Sequence, residues 1–340
     1  MTRMRAIVQD QYGPSDEVLH LRTVKIPDPG PEEVLVRVRA ASVNPDVWHV
    51  ITGYPMLLRL MGAGLRRPKQ PIPGLDMAGE VAAAGADVTR FAPGDAVYGE
   101  THHQIQWVNG GAYAEYVCAP ADVLSPVPEG ITFEQAATVP TAGMIALNNL
   151  LQHIGSKPGQ RVLINGAAGG VGSIAIQMAK AKDAYVVGVD HTTKLEFMRS
   201  LGADEVIDYT HEDITEQESR YDLVVDVAST LSLSHCQRIL EPDGKYVIIG
   251  HDHYGREGRR ILGGTPYFFG LMARALFDKH LPAPSFDTMK KHDAMEILSR
   301  MLLSEQLTPK VAKAFPLTEV SLAIQCLQAG DYCGRIVIVP

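Results

Sequence analysis

The stretch from Arg161 to Asp190, RVLINGAAGGVGSIAIQMAKAKDAYVVGVD, restricts the possible folds more than any other part of the chain. A short apolar run, Val162-Leu163-Ile164, leads into Gly166-Ala167-Ala168-Gly169-Gly170-Val171-Gly172. Ile174, Ile176, Met178 and Ala179 follow among Ser, Gln and Lys, and a second apolar run ends at Val189. That order reads as strand, tight turn, helix, strand. One glycine permits the turn, one lets backbone approach a pyrophosphate, and Gly172 lets the helix pack close to the strand. Ala167 fills the first glycine position. Amides at the helix start then face phosphates. The segment therefore predicts a dinucleotide site at Ala167, Ala168, Gly169, Gly170, Val171 and Gly172, with Asp190 as the acid at the second strand's tip. The competing reading is a plain glycine-rich turn.

Texture changes along the chain. Up to about residue 125, short alternating runs at Met4–Val8, Glu33–Val38, Glu80–Ala84, Ala96–Tyr98 and Ala112–Val117 are separated by Pro-Gly and Gly-Asp turns. This predicts a β-rich, partly barrel-like domain. Phe133–Leu151 has helical periodicity. Strands and helices then alternate to Ile249, which calls for a parallel sheet in the doubly wound arrangement. Later, 267–280, Asp287–Ser304 and Leu317–Leu327 read as helical. Gly334–Val339 reads as a strand returning to the first domain. The expected division is 1–125 with 266–340 as the β-rich domain, and 126–265 as the nucleotide domain.

At 340 residues the chain can hold two real cores. Its net charge of −8 disfavours a nucleic-acid partner, which would need a basic face. Cys118, Cys236, Cys326 and Cys333 are too scattered for a disulfide framework or a zinc lobe. The start of the chain lacks the apolar core of a signal peptide, and Tyr267–Phe277 is too short to span a bilayer. A cytoplasmic location is expected. A membrane partner is not expected, although Leu57–Leu65 followed by Arg66-Arg67 leaves weak peripheral association open.

Ordered blocks run the whole length: Ala40-Ala-Ser-Val-Asn-Pro45 with Trp48-His49, Pro73-Gly-Leu-Asp-Met-Ala-Gly79, Pro93-Gly-Asp95, Gly111-Ala-Tyr-Ala-Glu-Tyr116, Asn165–Gly172, Leu201–Asp208, Tyr221–Asp226 and Cys333–Ile338. Through them the chain resembles the medium-chain dehydrogenase/reductase superfamily, in its zinc-independent, quinone-oxidoreductase-like branch. The resemblance implies an α/β protein: a β-rich GroES-like catalytic domain plus a doubly wound Rossmann domain. It implies hydride transfer between a nicotinamide nucleotide and a carbonyl, alcohol, quinone or conjugated alkene. It also implies a homodimer, formed through edge strands near Tyr246–Ile249.

Zinc alcohol dehydrogenases of the superfamily use a cysteine in the first block and a His-Glu pair in the second. Asn44 and Leu75-Asp76 stand there instead, so no zinc is expected. His49, His102, His103, His251 and His253 show no recognised ligand spacing. Donors must then stabilise the charge left on oxygen as hydride arrives. Asn44, Asp46 and His49 are the catalytic candidates. Asp46 falls where zinc-dependent relatives keep a relay Ser or Thr, and the usual Asp of the zinc-independent branch lies one position later, where Val47 stands. Asp46 either enters the cleft or caps the following helix. Trp48, Tyr54 and Tyr98 are candidate pocket residues, with Trp107 a further aromatic.

Asp190 argues for NAD(H), whereas Thr192, Thr193 and Lys194 form a ready site for the 2′-phosphate of NADP(H), which is favoured. Tyr209 and Gly250 complete the coenzyme set. The apolar segments Pro55–Arg67 and Gly263–His280 suggest a small, uncharged, hydrophobic carbonyl or quinone substrate. Quinone or enone reduction leads. A metal-free alcohol dehydrogenase or carbonyl reductase stands second, and an NADPH-binding sensor with little catalysis third.

Overall fold

A computed structural model of the chain describes residues 2–104, 108–154, 158–250, 260–283 and 289–340. Trp107, His251 and His253 lie outside the described residues. The chain divides into two compact units, Met1–Thr141 with Lys290–Ser304 and Pro309–Pro340, and Ala142–Met289 with Glu305–Thr308. Residues 126–141 thus sit in the first unit and 266–289 in the second, where the sequence reading had placed each on the other side.

In the first unit β1 (Arg3–Gln9) and β2 (Leu19–Lys25) form an antiparallel pair. β3 (Glu33–Val43), β4 (Asp76–Ala84), β5 (Ala96–Glu100), β6 (Tyr116–Pro120) and β7 (Leu124–Pro126) belong to a larger sheet. Alternation explains β3: Val34, Val36 and Val38 are buried while Arg37 faces out. Beyond them Ala40, Ala41, Ser42 and Val43 are all buried, so this end of the strand is covered on both faces.

The second unit holds β8 (Arg161–Asn165), β9 (Tyr185–Asp190), β10 (Glu205–Asp208), β11 (Tyr221–Asp226) and β12 (Leu240–Ile248). All pairs are parallel, in the order β10-β9-β8-β11-β12. Strand order reverses between β8 and β11, and right-handed crossovers then send helices to opposite faces. The core includes Leu163, Val187, Val189, Ile207, Val224 and Tyr246, nearly all without exposed surface. Each such aliphatic side chain contributes about 1.5–3 kcal/mol by leaving water. The continuous apolar runs of these strands follow from burial on both faces.

The chain then returns to the first unit. β13 (Val311–Pro316) pairs with β14 (Arg335–Val339), and β14 pairs antiparallel with β3. The large sheet runs β13-β14-β3-β4-β5-β7, with β6 also on β3. The nucleotide unit is therefore an insertion, as the closing strand implied.

Three local expectations change. Phe133–Leu151 breaks into helices Phe133–Ala137 and Pro140–Ala146 and a wider turn at Leu147–Leu151. Pro140 lacks the amide that would carry one helix through. Ala112–Val117 becomes a strand only from Tyr116; before it Ala114 makes a single bridge to Ala6. The helix expected to follow Asp46 starts one residue before it, at Pro45–Thr52, and the strands β2, β7 and β13 have no counterpart among the expected runs. Among the described residues no helix is long and apolar enough to cross a membrane.

Candidate functional site

The glycine loop sits at the carboxyl end of β8, beside the point where strand order reverses. Open sheets of this type bind ligands at that place. Gly166 has φ +78°, a conformation side chains disfavour. A Cβ on Gly172 would lie 2.3 Å from the Gly166 carbonyl oxygen and 2.6 Å from Ala167 Cα, so only glycine lets the helix Gly170–Lys180 start so close to the strand. Ala167 and Ala168 are fully buried, and their small side chains complete the packing.

The loop's amides divide by task. Ala167 N–H donates to Val189 O (3.1 Å), Ala168 N–H to Asp190 Oδ2 (3.0 Å) and Gly169 N–H to Gly166 O (3.3 Å). Those three are consumed in shaping the turn. Gly170, Val171 and Gly172 open the helix, and first-turn amides have no partner within the helix. With the helix dipole behind them they make a cradle suited to an anion. The residues present therefore fit a dinucleotide pyrophosphate, held by a narrower set of amides than the sequence indicated.

At the tip of β9 the Asp190 carboxylate is turned inward. Oδ2 accepts from Ala168, while Oδ1 accepts from His191 N–H (2.8 Å) and pairs with Lys194 Nζ at 3.0 Å. Thr192 donates its hydroxyl to Asp208. Burial opposes ionisation of Asp208, but donors from Thr192, Thr210 and His211 outweigh it and hold the carboxyl well below the usual range. Thr193 Oγ1 lies 3.1 Å from His191 Nδ1, and the His191 ring stands edge-on to the exposed Tyr209. A Cβ at Gly250 would lie 2.6 Å from Val227 O, so this position too needs glycine. Between these groups, Asn165 Nδ2 bridges β8 to Asp226 Oδ1 on β11 at 2.7 Å. Burial pushes Asp226 up, while Leu231 N–H, Asn165 and Tyr246 steady its charge.

The first unit carries a second polar constellation, on the doubly covered end of β3. Asp76, at the start of β4, has no exposed surface. Ser42 donates to its Oδ2 (2.8 Å), as does Asn44 Nδ2 at 3.4 Å. Thr141 donates to Oδ1 through its backbone N–H (3.3 Å) and touches it through Oγ1. The same Thr141 hydroxyl lies 2.9 Å from Glu100 Oε1, and Glu100 accepts from Lys291 through its other oxygen. One hydroxyl has one proton, so it cannot donate to two carboxylates at once. The pair must retain a proton for both contacts to be hydrogen bonds. Burial drives the same result: it pushes Asp76 up to about 6 against the pull of Arg335, with the Glu100 charge adding to the rise. Glu100 is raised as well, by burial, with Lys291 opposing.

Asn44 is the N-cap position of the helix Pro45–Thr52, although its side chain makes no capping bond. Its amide is turned to Asp76, and its Oδ1, buried, has no hydrogen-bond partner among the described residues. Asp46 follows in the first helical turn and is half-buried, so it is not the cap; its charge reaches Glu100. His49 is buried, with Nδ1 2.7 Å from Tyr54 O, which fixes the proton on Nδ1 because a carbonyl only accepts. Trp48 packs edge-on against His49 at 5.1 Å. Tyr54 is half-buried with the Arg59 guanidinium 5.6 Å from its ring. Tyr98, expected in the pocket, is fully buried with its hydroxyl 2.8 Å from Ser299 Oγ; it packs the sheet and offers no surface.

The structure thus brings Asn44 together with Ser42, Asp76, Thr141, Glu100 and Lys291. Sequence reasoning had named only Asn44 as a candidate from that group. The available signal was a lone carboxylate in an apolar run, in Gly-Leu-Asp-Met-Ala and again in Val-Tyr-Gly-Glu. The donor set does not suit zinc. One carboxylate already engaged by three side chains, beside an amide and a leucine, lacks the thiolate or imidazole ligands such a site uses. Among the described residues no group of three or more His, Cys, Asp or Glu side chains is placed to hold a metal ion.

Residues 30–129 match the alcohol dehydrogenase GroES-like domain, and residues 201–338 match the zinc-binding dehydrogenase family. A chloroplastic quinone-oxidoreductase homolog of Spinacia oleracea is 30% identical over 99% of this chain and 98% of its own. A mitochondrial NAD(P)H oxidoreductase of Mus musculus is 34% identical over 99% of this chain and 89% of its own. A 2-methylene-furan-3-one reductase of Solanum lycopersicum is 33% identical over 66% of this chain and 57% of its own. The solved quinone oxidoreductase of Coxiella burnetii superposes over the full length of both chains with a TM-score of 0.79 at 29% identity. The amide cradle at the strand-order reversal and the likeness along the full chain lead to one conclusion: this chain is an oxidoreductase of the medium-chain dehydrogenase/reductase superfamily and belongs to its quinone-oxidoreductase-like branch.

Proposed function

We propose that the protein reduces quinones or α,β-unsaturated carbonyls with NADPH, and does so without zinc. The observation that carries the coenzyme half is the row of unspent amides at Gly170, Val171 and Gly172, set by a turn in which every other amide is used. Reduced nicotinamide supplies the hydride when bound. The substrate class rests on the quinone-oxidoreductase homolog and the 2-methylene-furan-3-one reductase among the relatives. Asn44 has two amide hydrogens, and Asp76 takes one. The other is the proposed donor to the oxygen that gains charge. Asp76 and Ser42 hold that amide in place; Asp46 and His49 are proposed to orient the substrate or return a proton.

For the coenzyme, the Asp190–Lys194 pair supports NADP(H) over NAD(H). An acid already neutralised by a lysine is a poorer acceptor for ribose hydroxyls, and the lysine stays near a 2′-phosphate. Lys194→Glu is expected to raise the KM for NADPH about tenfold or more while that for NADH changes little. Equal KM values before and after, for both coenzymes, would remove the assignment. A homodimer is proposed through β12, which is an edge of its sheet.

The decisive assay gives the protein NADPH and a panel of quinones, enones and aldehydes and follows coenzyme oxidation. Quinones or enones are the expected acceptors. Turnover of aldehydes alone would reverse the assignment.

A further inference from the structure

We propose that the segment Met56–Gln70 is a docking surface for an anionic lipid bilayer, a role beyond the reductase activity proposed above. Its composition is one-sided. Between Asp46 and Asp76 the chain has no Asp or Glu, yet it carries Arg59, Arg66, Arg67 and Lys69 in a protein of net charge −8. Its large apolar residues are turned outward: Leu60 is 71% exposed, Leu65 64%, Met61 46% and Met56 43%.

The segment is held in this attitude by the rest of the first unit. Tyr12 donates its hydroxyl to Gly64 O (2.6 Å), and the Arg59 guanidinium lies over the Tyr12 ring at 4.4 Å while bonding Gly53 O. Arg59 is thereby committed to structure. Lys69 N–H closes the loop onto Ala63 O at 2.9 Å. Gly64 has φ +116°, and a Cβ there would meet Arg67 O at 2.2 Å, so the reversal that presents Leu65 and Arg66 depends on glycine.

The cations are unspent. Arg66, Arg67 and Lys69 are exposed and have no ion-pair partner among the described residues. They line a cavity of about 840 Å³ with Leu65, Gln9 and Asp10, and Asp10 is already paired to Arg22. An apolar ridge beside a cationic hollow matches a bilayer surface, where acyl chains lie under anionic phosphates. Such a surface would place an enzyme beside hydrophobic substrates dissolved in the membrane.

The test is flotation of the whole protein with vesicles. Binding is expected to mixed phosphatidylcholine–phosphatidylglycerol vesicles, falling with added salt and much weaker on pure phosphatidylcholine. Arg66→Glu with Arg67→Glu should lower binding about tenfold or more. The milder Arg66→Gln with Arg67→Gln guards against misfolding and should also lower it, with an unchanged melting temperature. Leu60→Ser with Leu65→Ser should weaken binding while keeping its salt dependence. No binding to anionic vesicles, or equal binding by wild type and both charge variants, overturns the proposal. So does a change of oligomeric state in the leucine variant with vesicle binding intact, which would make the ridge a contact between copies of this chain.

Discussion

In the Gly166–Gly172 loop the working groups are main-chain amides, and side chains matter mostly by being absent. Around Asp76 the working groups are mostly side chains, from five separated parts of the chain. A backbone site is specified by a contiguous string of small residues, so its sensitivity is steric. A side-chain site is specified by charge and proton count, so its sensitivity is electrostatic and depends on pH. The two constellations should respond differently to the same kind of perturbation.

The largest effect is expected from one methyl group. Gly172→Ala puts a Cβ 2.3 Å from a carbonyl oxygen and must push the helix away from its strand. Overpacking of this kind costs roughly 1–3 kcal/mol. If the shift falls on the amide cradle, NADPH affinity drops about ten- to a hundredfold. Gly169→Ala is the control. Within the protein its Cβ meets only Gly166 O, at 3.5 Å, which is ordinary contact, so stability should be unchanged, and any loss of NADPH affinity there would come from the methyl meeting the pyrophosphate. Denaturant titration with a fluorescence titration of NADPH measures both variants. Equal loss of stability in the two would show that the turn is not sterically specified.

Next in size is Thr141→Val, nearly the same shape without the hydroxyl. It leaves Asp76 Oδ1 and Glu100 Oε1 facing each other unbridged in a buried place. The expected destabilisation is about 1–3 kcal/mol by denaturant titration. NADPH affinity should be unaffected if coenzyme binding rests on the amide cradle alone. A neutral result for stability would mean that the hydroxyl does not hold the pair together.

This contrast also explains what could be read from sequence. The nucleotide unit is legible because its rules are local: β8, spanning Arg161–Asn165, is centred on the apolar run Val162–Ile164, and the strand–turn–helix order is contiguous. The split of the long helix at Pro140 was a local rule overlooked. The Asp76 cluster joins residues from 42 to 335, and no local pattern links Thr141 to Glu100 or Lys291 to either. Asn44 was found because a family block marks it. The neighbouring threonines mark Lys194 as an anion site, but its pairing with Asp190 depends on how the acid turns, which spacing does not fix. Tyr98 shows the opposite error. An aromatic in a strand reads equally as pocket or packing, and only the hydroxyl's contact with Ser299 separates them.

The smallest effect is a dependence on pH, and its sign follows from the proton the pair retains. Asp76 titrates near 6 in the folded protein against an ordinary 3.8, so the native state binds a proton that the unfolded chain releases. Its contribution is fully present below the unfolded value and is lost as pH rises toward the folded one. From about pH 5 upward roughly one pH unit of that window remains, worth about 1.4 kcal/mol. Asp76→Asn cannot ionise, so this loss should vanish in the variant. The comparison to make is therefore a difference of differences: unfolding free energy near pH 5 and near pH 8, in wild type and Asp76→Asn. Wild type should lose about 1 kcal/mol more than the variant across that interval. The same slope in both proteins would mean that Asp76 does not hold the retained proton, which would place it on Glu100 instead.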